Sequence, residues 1–98
     1  MEMSSITIEE LKELSQESYV IIDIRDEIEI SHGVIPGALP CRPDEISGNP
    51  KVPKDKKLVI CCSRGINSKE VSDQLCREGY DAVSLEKGYI AWLMDAMK

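Results

Sequence analysis

The chain has 98 residues, 42% of them hydrophobic and 31% charged. That length suits one compact domain with a single core, and the balance is that of a soluble globular protein, excluding a disordered tail or a membrane protein. A net charge of −6 repels phosphate backbones at long range and argues against a nucleic-acid partner.

The charge is unevenly spread. Residues 1–49 hold eleven acids against three bases, a net −8, and residues 50–98 hold seven against nine, a net +2. No apolar run approaches the roughly 20 residues that a membrane helix requires, so no membrane contact is expected. The start, Met1-Glu2-Met3-Ser4-Ser5, lacks the basic and then apolar pattern of a secretion signal, which makes a cytoplasmic location the expectation. Cys41, Cys61, Cys62 and Cys76 are then expected as free thiols. His32 is the only histidine and no C-x-x-C pair exists, so neither a metal site nor a cofactor is expected.

In chain order, Thr7-Ile8-Glu9-Glu10 reads as a capping box. A helix is predicted from Ile8 to about Ser15, burying Ile8, Leu11 and Leu14. Tyr19-Val20-Ile21-Ile22 is a continuous apolar run, as in a strand covered on both faces, and it ends in Asp23. Asp26 is a plausible cap for a short second helix to His32, with Ile28 on its inner face and Gly33 as its stop. Ile35-Pro36-Gly37 is turn chemistry, and Ala38-Leu39 a brief strand ended by Pro40. Prolines and Gly48 mark Cys41 to Asp55 as an intradomain loop with one helical turn near Asp44 to Ser47.

Lys57 to Cys61 is the second all-apolar strand. Ile66 to Glu78 follows as a helix with Val71 and Leu75 inward and Gly79 as stop. Ala82-Val83-Ser84-Leu85 is another strand. A last helix from Gly88 carries Ile90, Leu93, Met94 and Met97 at i, i+3, i+4, i+7, and that stripe with Trp92 is expected in the core. Apolar strands alternating with helices predict an α/β fold, one parallel sheet with helices on both faces. Ligands of such sheets bind beyond the carboxyl ends of the strands, where Cys62 falls.

Cys62 therefore stands out as a nucleophile. A strand end, a short arc and a helix start, with Ser68 as the expected cap, aim backbone N–H groups at one point above its sulfur, which favours thiolate and suits an anion. Gly65 permits the tight turn. Arg64 and Lys69 are the cations at hand for attracting substrate or lowering the thiol pKa. Cys61, its neighbour, should face the opposite side of the strand. Cys41, Cys61 and Cys76 are expected as packing residues, and His32 as a surface residue at a helix end.

Three separated motifs in one order resemble a known family. They are the loop from Cys62 with its helix, the segment Asp23-Ile24-Arg25-Asp26-Glu27-Ile28-Glu29 leading to Ile35-Pro36-Gly37-Ala38, and the ending Leu85-Glu86-Lys87-Gly88-Tyr89-Ile90-Ala91-Trp92. Together they look like a single-domain rhodanese over Ile6 to Trp92, one rhodanese-like domain across residues 1–98. The resemblance implies a five-stranded parallel sheet and a sulfurtransferase in which Cys62 accepts a sulfane sulfur as a persulfide. The donor would be thiosulfate, a polysulfide or a persulfide, and the acceptor a small thiol, cyanide or a protein thiol. The family's active loop falls on Cys62, Ser63, Arg64, Gly65, Ile66 and Asn67, closed by Ser68. Its Asp-x-Arg pair falls on Asp23 and Arg25, as a site support or a structural ion pair.

The chain departs from the family pattern in three places. Asn67 stands where many active members carry arginine, Val34 replaces the histidine before the Ile-Pro-Gly turn, and Lys87 replaces the first glycine near the C-terminus. Two other readings remain at this stage. One is a non-catalytic rhodanese-like module for partner binding or redox sensing. The other is a cysteine phosphatase or arsenate reductase, disfavoured because Ser68 occupies the position of its phosphate-binding arginine.

Overall fold

The computed structural model describes residues 5–98. The elements run β1 (Ser5–Ile6), α1 (Ile8–Lys12), β2 (Tyr19–Asp23), α2 (Glu27–Ser31), β3 (Leu39–Pro40), β4 (Lys57–Cys61), α3 (Asn67–Arg77), β5 (Ala82–Leu85) and α4 (Gly88–Ala96). Single 3-10 turns lie at Gln16–Ser18 and Pro43–Glu45. The strands form one parallel sheet in the order β1-β5-β4-β2-β3. The expected α/β fold is therefore present, and its fifth strand is β1, two residues too short to announce themselves in sequence.

The apolar runs of β2 and β4 arise because both faces of the sheet are covered. On one face Ile22, Leu58 and Ile60 pack with Leu75 of α3 and with Ile46 and Val52 of the long connection. On the other, Ile21, Val59 and Cys61 pack with Ile8 and Leu11 of α1 and Ala91 of α4. Each such side chain contributes about 1.5–3 kcal/mol when fully buried. Cys61 and Cys62 fall in opposite clusters, as strand alternation requires.

The capping box at α1 forms as expected: Thr7 Oγ1 accepts from the Glu10 amide at 3.1 Å, and Glu10 Oε1 accepts from the Thr7 amide at 2.9 Å. The helix is shorter than predicted, ending at Lys12 with Leu14 only half-buried. Asp26 caps α2 by accepting from the Glu29 amide at 2.8 Å. Ile28, however, is 72% exposed, because α2 is too short to turn an apolar face inward.

Two further expectations are corrected. In α4 the stripe Ile90, Leu93, Met94 and Met97 faces outward, with Met97 83% exposed. The inward face is Gly88 and Ala91, flanked by the half-buried Tyr89 and Trp92. Asp95 lies on the same side and pairs with Lys12 of α1 at 3.2 Å. Cys76, expected inside, belongs to an exposed residue, although its Sγ donates to the Ala82 carbonyl at 3.1 Å. Among the described residues no helix is long and apolar enough to cross a membrane, and all four cysteines are free.

From β4 the chain continues towards β5, and from β2 towards β3, on opposite sides of the sheet. Connections diverging in this way leave a crevice above the carboxyl ends of β2 and β4.

Candidate active site

Cys62 follows the last residue of β4 and sits at the floor of that crevice, a cleft of about 680 Å³. Only 6% of the residue is exposed. The arc from Ser63 to Ile66 bends back over the sulfur, so that the Gly65 amide donates to Cys62 Sγ at 3.0 Å, while the Ser68 hydroxyl at 3.4 Å accepts from the thiol and can donate to the thiolate. Burial pushes the Cys62 thiol up. The Ser68 hydroxyl and the amides of Ser68, Gly65 and Arg64 outweigh it, and the thiol is held below its ordinary value.

Ser68 has a different place from the one expected. Ile66 occupies the cap position of α3 without a side-chain cap bond, and Ser68 lies inside the first turn, fully buried. Its hydroxyl meets the equally buried Ser84 hydroxyl of β5 at 2.5 Å. Either hydroxyl can donate in this contact; when Ser68 turns its proton to a Cys62 thiolate, Ser84 becomes the donor to Ser68. Ser84 is a site residue that sequence reasoning missed, and its one signal was a hydroxyl in an otherwise apolar strand.

The loop is held from behind by the start of α4. The Tyr89 amide donates to the Cys62 carbonyl at 2.7 Å and the Ile90 amide to the Ser63 carbonyl at 3.4 Å. The approach is so close that a Cβ on Gly88 would lie 2.1 Å from the Cys62 carbonyl oxygen, and one on Gly65 would lie 2.7 Å from the Lys87 amide nitrogen. Gly65 also has φ +88, which an L side chain rarely adopts. Lys87 is left with φ 65, the single described residue other than glycine with positive φ. That conformation explains why a glycine suits this position.

Asp23 and Arg25 form a buried ion pair. Arg25 Nε and Nη2 donate to the Asp23 carboxylate at 3.0 and 2.8 Å, and Nη2 also donates to the Gly33 carbonyl at 2.6 Å. The guanidinium stacks 4.0 Å from the Tyr89 ring centroid, and Tyr89 stacks on Trp92. The hydrogen bond to Asp23 pushes the Arg25 pKa up despite burial. Arg25 thus borders the cleft with its charge already committed, and ties α2's end to α4.

Ser63, Arg64, Ile66 and Asn67 line the cleft. Arg64 is exposed and acts on Cys62 through its amide rather than its charge. Lys69 is exposed and does not line the cleft. Glu29 of α2 and Arg42 do line it, and sequence reasoning assigned neither a role there. Glu29 accepts a hydrogen bond from the Ser63 hydroxyl, and Arg42 Nη1 donates to the Ile24 carbonyl at 2.7 Å.

The other thiols differ sharply from Cys62. Burial pushes Cys61 up to about 12, reinforced by the nearby Asp23, and burial also pushes Cys41 up. His32 ends α2, exposed. No group of three or more His, Cys, Asp or Glu side chains is placed to hold a metal ion among the described residues. One acidified, buried thiol beneath convergent N–H and O–H donors can attack an electrophilic atom and hold the negative charge that results.

The chain as a whole is similar to known proteins. The rhodanese-like domain family model matches residues 7–95. The thiosulfate sulfurtransferase GlpE of Shewanella oneidensis is 31% identical over 90 residues, covering 89% of this chain and 89% of its own. A sulfurtransferase of Allochromatium vinosum is 38% identical over 84 residues, covering 78% of this chain and 73% of its own. The crystal structure of a rhodanese-like domain protein from Staphylococcus aureus superimposes with a TM-score of 0.79 at 36% identity, over 92% of this chain and 91% of that one. With a parallel five-stranded sheet, a cysteine loop at its centre and a family match over nearly its full length, the chain belongs to the rhodanese-like domain family.

Proposed function

We propose that the protein is a sulfurtransferase that carries sulfane sulfur on Cys62. The Cys62 thiolate attacks the terminal sulfur of a donor, for thiosulfate forming an S–S bond and releasing sulfite. The product Cys62–S–S⁻ bears its charge one atom further out. An acceptor thiolate or cyanide then attacks the terminal sulfur, taking it as a persulfide or thiocyanate and returning the Cys62 thiolate.

The observation that carries this reading is the set of donors converging on one thiol. The Gly65 amide at 3.0 Å, the Ser68 hydroxyl at 3.4 Å and the amides of Arg64 and Ser68 stabilise negative charge at the sulfur. The same donors suit a thiolate before transfer and a persulfide after it. Cys61, facing the other side of the sheet, takes no part. Asp23 and Arg25, paired with one another, hold the end of β2, the end of α2 and α4 together at the border of the cleft.

Intact-mass measurement after incubation with thiosulfate or a polysulfide is expected to show one added sulfur, lost on later exposure to cyanide and absent in Cys62→Ser. Wild-type protein that gains no sulfur from any such donor sinks the proposal and favours a binding or redox-sensing module.

A further inference from the structure

Resting on the sulfurtransferase reading, the cleft around the loop carries a statement about its donor. Glu29 projects from α2 to the residue that follows the nucleophile, accepting the Ser63 hydroxyl proton. Its backbone is fixed in turn by the Asp26 cap at 2.8 Å. The loop therefore holds a carboxylate against the side chain of the residue after Cys62, in the cleft that Cys62 also lines. Asp26 and Glu70 share the same cleft.

Three guanidinium groups also border it, but they are not equally free. Arg25 is matched by Asp23 in a buried pair, and Arg42 is tied to the Ile24 carbonyl while keeping its charge. Arg64 is exposed. Three carboxylates thus share the cleft with two uncompensated guanidiniums, and Asn67 adds only a neutral amide. A dianion gains little in such a field, and the cleft, at about 680 Å³, is far larger than an ion such as thiosulfate. Its apolar wall of Ile24, Ile66, Val71 and Leu75 offers nothing to a small hydrophilic anion.

We propose that Glu29 is a specificity-determining residue that turns the Cys62 loop away from dianionic donors and towards zwitterionic persulfides of amino-acid or short-peptide size. Such a donor presents an ammonium group to the carboxylates, a carboxylate to Arg42 and Arg64, and an aliphatic stem to the apolar wall. In the transfer, Cys62–S⁻ bonds to the terminal sulfur of R–S–SH as the donor S–S bond breaks. The proton passes to the departing sulfur, giving Cys62–S–S⁻ and R–SH, with no external oxidant or reductant.

The test compares kcat/KM for thiosulfate and for cysteine persulfide, each with cyanide as acceptor, in wild type and Glu29→Gln. Glutamine keeps an oxygen for the Ser63 hydroxyl and removes the charge. Thiosulfate turnover is expected to rise about tenfold at low ionic strength, from a unit charge acting on a dianion at close range, while cysteine persulfide changes less than threefold or falls. In wild type, thiosulfate turnover is expected to climb as salt screens the repulsion, a slope that flattens in Glu29→Gln. The wild-type salt series needs no variant to fold. A donor ratio unchanged within twofold, or thiosulfate turnover in wild type that falls with salt, overturns this inference alone. Failure of both donors to load sulfur on Cys62 overturns the sulfurtransferase reading beneath it.

Discussion

Replacing Ser68 by alanine removes the hydroxyl that lies 3.4 Å from Cys62 Sγ and can donate to its thiolate, and leaves the amides of Arg64, Gly65 and residue 68 in place. A hydrogen bond to a charged acceptor contributes about 1.5–3 kcal/mol, and the diffuse charge of sulfur places this one near the lower end. At about 1.4 kcal/mol per pKa unit, the Cys62 pKa should rise by about one unit. The assay is the rate of alkylation by iodoacetamide against pH, with the site identified by mass spectrometry. Below the transition the rate falls about tenfold at fixed pH, and the plateau at high pH stays within about twofold, because the thiolate itself is little altered.

Stability moves with it. The native thiol titrates below the unfolded one, so thiolate formation stabilises the fold fully above the unfolded pKa, and that contribution is lost as pH falls through the folded pKa. Ser68→Ala raises the folded pKa and so shrinks the contribution. It also leaves Ser84 without its partner, a separate cost of about 1–3 kcal/mol for an unsatisfied buried hydroxyl. Adding Ser84→Ala removes that orphan, so the double variant should regain stability without regaining the low pKa. A Cys62 pKa that stays within about 0.3 units in Ser68→Ala would refute the idea that the hydroxyl helps the amides offset burial.

Two neighbouring substitutions should act in opposite directions. Lys87→Gly relieves a left-handed residue and should raise stability by about 0.5–1 kcal/mol, a few degrees in a thermal melt; a lower Tm contradicts the strain. Gly88→Ala drives a Cβ to 2.1 Å from the Cys62 carbonyl. It should cost about 2 kcal/mol or more and slow Cys62 alkylation by displacing the loop, whereas a neutral melt with unchanged alkylation removes the claim that α4 braces the site.

The parts of this fold legible in the sequence are those governed by nearest neighbours or by unbroken burial. The Thr7 capping box closes over three residues, and Tyr19 to Ile22 and Lys57 to Cys61 are apolar because the sheet is covered on both faces. Cys62 was legible for the same reason, as the end of one such run followed by a tight loop. The rotation of α4 was not. Counting apolar residues selects Ile90, Leu93, Met94 and Met97, yet the helix turns Gly88 and Ala91 inward because only small residues allow its start to meet the Cys62 carbonyl. Close approach overrides the larger apolar stripe. Ser84 and Glu29 escaped notice because their partners, Ser68 and Ser63, lie 16 and 34 residues away. No local pattern encodes such pairings.

The opposed side chains of Cys61 and Cys62 make the sheet a partition between two adjacent sulfur atoms. In the proposed reaction a sulfur carried by Cys62 cannot pass directly to its neighbour Cys61. Cys61 lies across the partition, and Cys41, on the same face as Cys62, follows β3, two strands away from the end of β4. Adjacent strands are spaced about 4.8 Å apart, so a direct disulfide between Cys62 and Cys41 would have to bridge two such spacings, more than its usual Cα separation. In the proposed reaction the cargo therefore leaves by the mouth through which it arrived. The identity of the visitor at that mouth, rather than the neighbouring Cys61, decides where the sulfur goes.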